Sequence, residues 1–189
     1  MCYDAPARSF PTERLIRNMI FPAAPMLSLT ELQLQRAIWQ TNGWRLVFTN
    51  GIFDLLHSGH VSYLAQARAL GDILVVGLNS DASTQSLKGP KRPLMPQKER
   101  ALVLAALRFV DYVTIFETPT AEALVAILQP EVYVKGGDYA QKATLIPDES
   151  RLPEAKVVKS YGGKVVLIPY REGYSTTALI AKIGETFFA

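Results

Sequence analysis

Cysteine is nearly absent from this chain: Cys2 stands alone among 189 residues. A single thiol excludes an intrachain disulfide and any cysteine-rich metal centre, and it suits a reducing cytoplasm, where the protein is expected to reside. Long apolar runs are absent too, none approaching the roughly 18 residues of a membrane span, so no membrane partner is expected. Basic tracts are missing: the formal charge is +3, and the lysines and arginines are scattered. That distribution fits anionic small molecules better than nucleic acid, which is not expected as a partner. No internal repeat and no low-complexity segment interrupts the chain. Histidine is the scarcest functional residue after cysteine, with only His57 and His60.

What is present describes an ordinary globular protein, 49% hydrophobic and 20% charged, long enough for one sizeable core and most simply one domain. The stretch MCYDAPARSFPTERLIRNMIFPAAP is irregular and carries four prolines. It lacks the apolar segment and small-residue cleavage site of a secretory signal. We read residues 1–27 as a poorly ordered extension, with Met26 as a possible natural start, and residues 28–189 as the domain.

Within the domain, the sequence predicts a first helix from Ser28 or Thr30, with apolar positions at Leu32, Leu34, Ala37 and Ile38 and Gly43 just past its end. Leu46 to Phe48 reads as a short buried strand. Helical spacing from His60 through Val61, Leu64, Ala65 and Leu70 follows, then a second strand from Asp72 to Leu78. Strand, glycine turn, helix and strand in about 30 residues make a βαβ unit with a parallel pair. The alternation continues with a helix from Pro96 to Arg108 and a strand at Tyr112 to Phe116. A helix from Pro119 to Leu128 and a strand at Val132 to Lys135 come next. A last strand, Lys164 to Pro169, leads to a helix capped near Ser175. The expected fold is α/β, a Rossmann-like doubly wound parallel sheet with helices on both faces, whose ligands bind at the carboxyl ends of the strands.

Four blocks sit at such ends. TNGIFDLLHSGH, residues 49–60, follows the first strand. Gly51 permits a close turn, and the helix starting near His60 offers unpaired N–H groups and a positive dipole end to a phosphate, to which both histidines can add donors. Zinc fits less well, because no third ligand is apparent. The second block, LNSDASTQSLKGPKRPLMPQKERALVLAALRFVDYV, holds Asn79, Asp81, Lys88, Arg92 and Arg100. Three cations alone usually mark a solvated face, but the glycine and prolines make it a structured loop in which Lys88 can close over phosphates. The third, VKGGDY, places Gly136 and Gly137 where a flat base can approach backbone, although paired glycines also serve plain turns. The fourth, REGYSTTALI, gathers Ser175, Thr176 and Thr177 at a helix start, where one serves as N-cap and the set suits phosphate oxygens.

TNGIFDLLHSGH resembles the GxFDxxHxGH signature of the cytidylyl- and adenylyltransferase superfamily. The four blocks together, TNGxFDLLHxGH, NSDASxxxLKGPxRP, KGGDY and GxSTTxLI, are similar to the D-glycero-β-D-manno-heptose 1-phosphate adenylyltransferases, known as the C-terminal half of bifunctional heptose kinase/adenylyltransferases. The resemblance covers residues 28 to 185, and the short extension has no room for a kinase domain, so the adenylyltransferase is expected to stand alone. Ile52 replaces a cysteine frequent in the family, a change of packing. Tyr170 stands where glycerol phosphate cytidylyltransferases carry an arginine, with Arg171 one residue later, which favours the heptose branch.

The resemblance implies that a sugar 1-phosphate oxygen attacks the α-phosphorus of ATP and releases pyrophosphate. Since a phosphate nucleophile is already ionised, no general base is needed, and catalysis comes from positioning and charge stabilisation. In that scheme His57, His60, Lys88 and Thr176 act on the triphosphate. Thr49, Asn50, Gly51, Ile52 and Phe53 cradle the nucleotide from one side, Gly136, Gly137, Asp138 and Tyr139 approach base and ribose, and Ser175 and Thr177 assist Thr176. Asn79, Asp81, Arg92 and Arg100 are expected at the acceptor. Mg²⁺ is expected to bridge phosphate oxygens without a dedicated protein cage, and a homodimer is possible. The alternatives are a CTP-dependent glycerol or ribitol phosphate cytidylyltransferase, an adenylyltransferase acting on flavin mononucleotide or pantetheine phosphate, and a non-catalytic nucleotide-binding module.

Overall fold

In a computed structural model, residues 23–139, 146–169 and 175–188 are described. Five strands form one parallel sheet: β1 (Leu46–Gly51), β2 (Ile73–Asn79), β3 (Tyr112–Phe116), β4 (Val132–Gly136) and β5 (Lys164–Ile168), in the order β3-β2-β1-β4-β5. The expected doubly wound α/β sheet is present. Because winding proceeds outward from β1 in both directions, β1 and β4 flank the point where the chain changes side, and a crevice opens at their carboxyl ends.

Side-chain alternation builds two cores. Leu46, Phe48, Val75 and Tyr133 face one layer, packed by α1 (Leu29–Thr41), α5 (Glu122–Leu128) and α6 (Glu154–Ser160) through Leu32, Trp39, Val125 and Val158. Val47, Leu74, Val76 and Val134 face the other, packed by α2 (Ser58–Arg68) and α4 (Gln97–Ala105) through Leu64, Ala67, Ala101 and Leu104. Each fully buried leucine or valine among these contributes roughly 1.5–3 kcal/mol relative to exposure. Two further helices, α3 (Asp81–Lys88) and α7 (Thr176–Phe188), follow β2 and β5. Among the described residues no helix is long and apolar enough to cross a membrane.

The helix α1 starts where expected, with Ser28 as N-cap in a reciprocal capping box with Glu31, and Gly43 beyond its end adopts φ +68. Its inward face differs from the expected one. Leu32, Arg36 and Trp39 are buried, whereas Leu34 and Ile38 are 66% and 51% exposed and Ala37 also faces out. The reason is polar: Arg36 Nε and Nη2 donate to the carbonyls of Leu128 (2.8 Å) and Gln129 (2.9 Å), and Nη2 pairs with Glu131 at 2.6 Å. These bonds satisfy the exposed end of α5, so the arginine stripe wins over the leucine stripe.

Residues 23–27, assigned to the extension by sequence, lie against the domain. Leu27 N donates to Val113 O at 2.9 Å, Val113 N to Pro25 O at 3.1 Å and Ala24 N to Ala105 O, and Met26 bridges Val113 in parallel. They cover the outer edge of β3, whose unpaired backbone groups would otherwise invite pairing. Residues 1–22 lie outside the described residues.

Two helices were not anticipated. The second block, read as a structured loop, begins with α3, capped by Ser80 Oγ accepting from Ser83 N. Lys88 is the last residue of this helix rather than part of a free loop. Helix α6, seven residues long, gives no apolar pattern longer than two turns.

Candidate active site

β1 delivers Thr49, Asn50 and Gly51 to the crevice, and the chain then turns back on itself. Phe53 adopts φ 46, left-handed for a residue with a bulky side chain, and its ring folds under Gly51, where an added Cβ would stand 3.0 Å from Phe53 Cε2. Such a backbone costs about 1–3 kcal/mol and persists only where its surroundings impose it. The ring is buried and meets the edge of His60 at 5.5 Å between centroids.

His57 is the N-cap of α2 yet makes no side-chain capping bond. His60 N and Val61 N both donate to His57 O, at 2.9 and 3.2 Å, and Ser58 and Gly59 N–H have no partner among the described residues. The two imidazoles stack, with centroids 3.9 Å apart and planes at 29°. Both Nδ1 atoms are buried without a hydrogen bond, and a buried polar atom left unpaired costs about 1–3 kcal/mol. Burial pushes His60 down to about 4, with the neighbouring His57 adding to the effect, and burial also lowers His57. Near neutral pH the pair is therefore uncharged, its buried Nδ1 atoms unpartnered beside free helix amides. Unpaired amides at a helix N-terminus are donors of the kind that anions use.

The other residues of this turn are placed differently. Thr49 is wholly buried, its hydroxyl 2.7 Å from Tyr63 Oη, which donates to Val134 O at 3.0 Å. Thr49 thus ties β1, β4 and α2 together and offers a ligand no free hydroxyl. Ile52 faces its carbonyl to Arg100. Asp54, which sequence reasoning passed over, is 3% exposed and accepts from Leu94 N and Met95 N at 2.9 Å while pairing with Arg92 at 2.8 Å. Its position inside FDLLH, an acid within an apolar stretch, was the available signal.

Most of the residues expected at the acceptor are engaged internally. Arg100, 1% exposed, donates to Met95 O (2.9 Å), Ile52 O (2.5 Å) and Asp81 Oδ1 (2.7 Å). Asp81 also accepts from Gln97 N at 3.1 Å, and Asn79, 3% exposed, donates to Ser83 Oγ at 2.9 Å. These side chains, expected at the acceptor, brace the segment after β2 through internal hydrogen bonds. Arg92, paired to Asp54, remains partly exposed. Lys88 is exposed and makes no ion pair among the described residues.

On the far side, a cleft of about 140 Å³ lies between Gly59, Ser62, Tyr63 and Gln66 of α2 and Gly136, Ile168 and Pro169. Gly137, Asp138 and Tyr139 form a 3-10 turn just beyond, and burial raises the Tyr139 phenol. Ser175 Oγ accepts from Ala178 N at 3.0 Å as the N-cap of α7, with Thr176 half-buried and Thr177 exposed beside it. Tyr170 and Arg171 lie outside the described residues.

The cytidylyltransferase-like family model matches residues 48–182. The bifunctional protein HldE of Geotalea uraniireducens is 55% identical over 144 residues, 76% of this chain and 28% of that protein. HldE of Helicobacter acinonychis is 44% identical over 173 residues, 92% of this chain and 34% of that protein. The chain spans about a third or less of the length of these relatives. Among solved structures, a lipopolysaccharide core biosynthesis protein from Thermoplasma volcanium is similar with a TM-score of 0.52 and 27% identity, covering 70% of this chain and 100% of that one. A pantoate-beta-alanine ligase from Francisella tularensis, 14% identical with a TM-score of 0.53 over 78% of this chain and 68% of that one, shares the fold. With the signature histidines at the crevice of a 3-2-1-4-5 parallel sheet and most of the domain matched, the chain belongs to the cytidylyltransferase-like family of nucleotidyltransferases.

Proposed function

We propose that this domain transfers AMP from ATP to a heptose 1-phosphate, forming ADP-heptose and pyrophosphate. The observation that carries nucleotidyl transfer is the stacked, uncharged pair His57 and His60 with both Nδ1 atoms unpartnered at the open N-terminus of α2. The choice of ATP and heptose rests on the sequence resemblance, supported by the HldE relatives at about half identity.

In this reading the α-phosphate and leaving pyrophosphate lie against α2. An acceptor phosphate oxygen forms a bond to the α-phosphorus as the bond to the bridging oxygen breaks, and pyrophosphate departs with that electron pair. No proton needs to be removed, so the chain's contribution is electrostatic. His60 and His57 and the Ser58 and Gly59 amides receive charge growing on phosphate oxygens, and Lys88, at the tip of α3, approaches the leaving group. Thr176 at the start of α7 holds the outer phosphates, while the cleft beside Gly136 takes the base.

A divalent ion would arrive with the triphosphate. Among the described residues no three histidine, cysteine or carboxylate side chains gather to hold one, and Asp54 and Asp81 are committed to Arg92, Arg100 and backbone amides. Among the described residues the side chains do not form a metal site.

The test is pyrophosphate release by purified protein, with ATP or CTP against heptose 1-phosphate, glycerol phosphate, ribitol phosphate, flavin mononucleotide and pantetheine phosphate. Release with ATP and heptose 1-phosphate is expected. Release only with CTP would overturn the adenylyl assignment, and tight ATP binding without turnover on any acceptor would make the domain a binding module.

A further inference from the structure

Lys135 is the penultimate residue of β4, and the proposed transfer does not use it. The β1–β4 ladder runs from Val47 opposite Val132 to Thr49 opposite Val134 and then stops. Asn50 and Lys135 are the next residues on the two strands, at the point where the crevice opens. Lys135 is 6% exposed, and its Nζ donates to Asn50 O at 3.1 Å and Asn50 Oδ1 at 3.2 Å. It also sits 4.6 Å from the centre of the Tyr139 ring. An ammonium has three N–H groups: two reach Asn50 oxygens and one faces the aromatic ring. Lys135 makes no ion pair among the described residues. Burial lowers its pKa, and Glu154 and Asp138, acting only through space, oppose that lowering.

Tyr133 Oη donates to the same Asn50 Oδ1 at 2.6 Å. The oxygen of the Asn50 amide is thus held inward by two groups of β4, and Nδ2 has no protein partner among the described residues. A reversed amide would aim its N–H groups at an ammonium that can only donate. Tyr133 tolerates either orientation, since a hydroxyl both gives and accepts; Lys135 tolerates one.

We propose that Lys135 is a positioning residue for the nucleotide: it locks Asn50 with Oδ1 inward, so that Asn50 Nδ2 faces the crevice as a donor to an anionic phosphate oxygen. This rests on the nucleotidyl-transfer reading and adds to it the polarity of one amide and the residue that fixes it. The lysine's own charge, behind the strand ends and without an ion-pair partner, favours the same anion.

Two near-isosteric variants test this by calorimetric titration with ATP and with inorganic triphosphate, alongside thermal melting and steady-state kinetics. N50D keeps both inward bonds and adds an ion pair with Lys135, so it should melt no lower than wild type. Its outward donor becomes an anionic oxygen, and the Kd for both probes and the KM for ATP should rise about tenfold or more, with kcat changing less. K135M removes the charge while keeping the volume, and the same binding loss is expected in a folded protein, a result that a purely structural lysine would not give. N50D binding both probes as tightly as wild type, or melting well below it, would overturn the proposal; should K135M not fold, N50D decides alone. A folded wild-type protein that binds neither ATP nor triphosphate would instead remove the nucleotidyl-transfer reading itself.

Discussion

The stretches that follow β1 and β2 lie side by side on the same edge of the sheet, and both are rich in polar side chains. They differ in how those side chains are satisfied. After β1, His57 and His60 stack with buried unpaired Nδ1 atoms beside free amides. After β2, Asn79, Asp81 and Arg100 spend their hydrogen bonds on Ser83, Gln97, Met95 and Ile52. The bonded groups hold a shape, although Thr84 Oγ1 in the second stretch is also buried and unpaired. Asp54 and Ile52 join the two stretches, taking Leu94, Met95, Arg92 and Arg100 as partners. The second region is therefore the brace that holds the first in its strained turn.

Four experiments press on that contrast. The largest effect belongs to His60→Ala, expected to lower kcat by about 10² to 10³ while the melting temperature barely moves. An unchanged kcat in a folded protein would show that the open region is not where charge develops. Arg100→Met should act the other way round, destabilising the fold by roughly 3 kcal/mol in denaturant titration. That is the low end for a buried charge pair, because Asp81 keeps some solvent contact. Wild-type stability with lost activity would return Arg100 to the substrate and dissolve the contrast.

The third experiment varies pH. His60 ionises near 6.5 when unfolded and about 4 when folded, so between those values the unfolded chain binds more protons. Stability is full above about pH 6.5 and falls as pH drops toward 4. His60→Gln should flatten that slope. In an NMR titration, saturating inorganic triphosphate should move the His60 transition upward, because an anion favours the charged ring. A transition that ignores triphosphate would separate the histidines from the phosphates. Smallest in stability is Lys88→Ala, expected within about 0.5 kcal/mol of wild type for an exposed side chain without an ion pair. Its kcat nevertheless should drop if the tip of α3 reaches the leaving group.

Much of the fold was legible before any coordinates, because buried parallel strands read as continuous apolar runs and β3 spans the expected residues, Tyr112–Phe116. The helix after β2 was hidden by composition: DASTQSLK has few apolar residues, and its buried members are Ser83 and Thr84. Helix α1 was found with its face misjudged, since hydrophobic spacing could not reveal that Arg36 would meet the carbonyl end of a helix 92 residues later. For the candidate site, the signal in the sequence was two solitary histidines beside a glycine turn. Lys135 left only a faint one, a single cation closing VYVK, and motif reasoning gave its attention to the glycines that follow.

By itself the sequence determined the class of sheet, because periodicity and local turn chemistry are encoded in neighbouring residues, and its four motif blocks carried the resemblance to the family. Tertiary structure decided which polar side chains are free. Whether Arg100 meets a phosphate or Ile52 O, and which way the Asn50 amide points, depends on partners 48 and 85 residues away. Hydrogen bonding saturates, and a residue's chemistry is set by what remains after its neighbours in space have been satisfied.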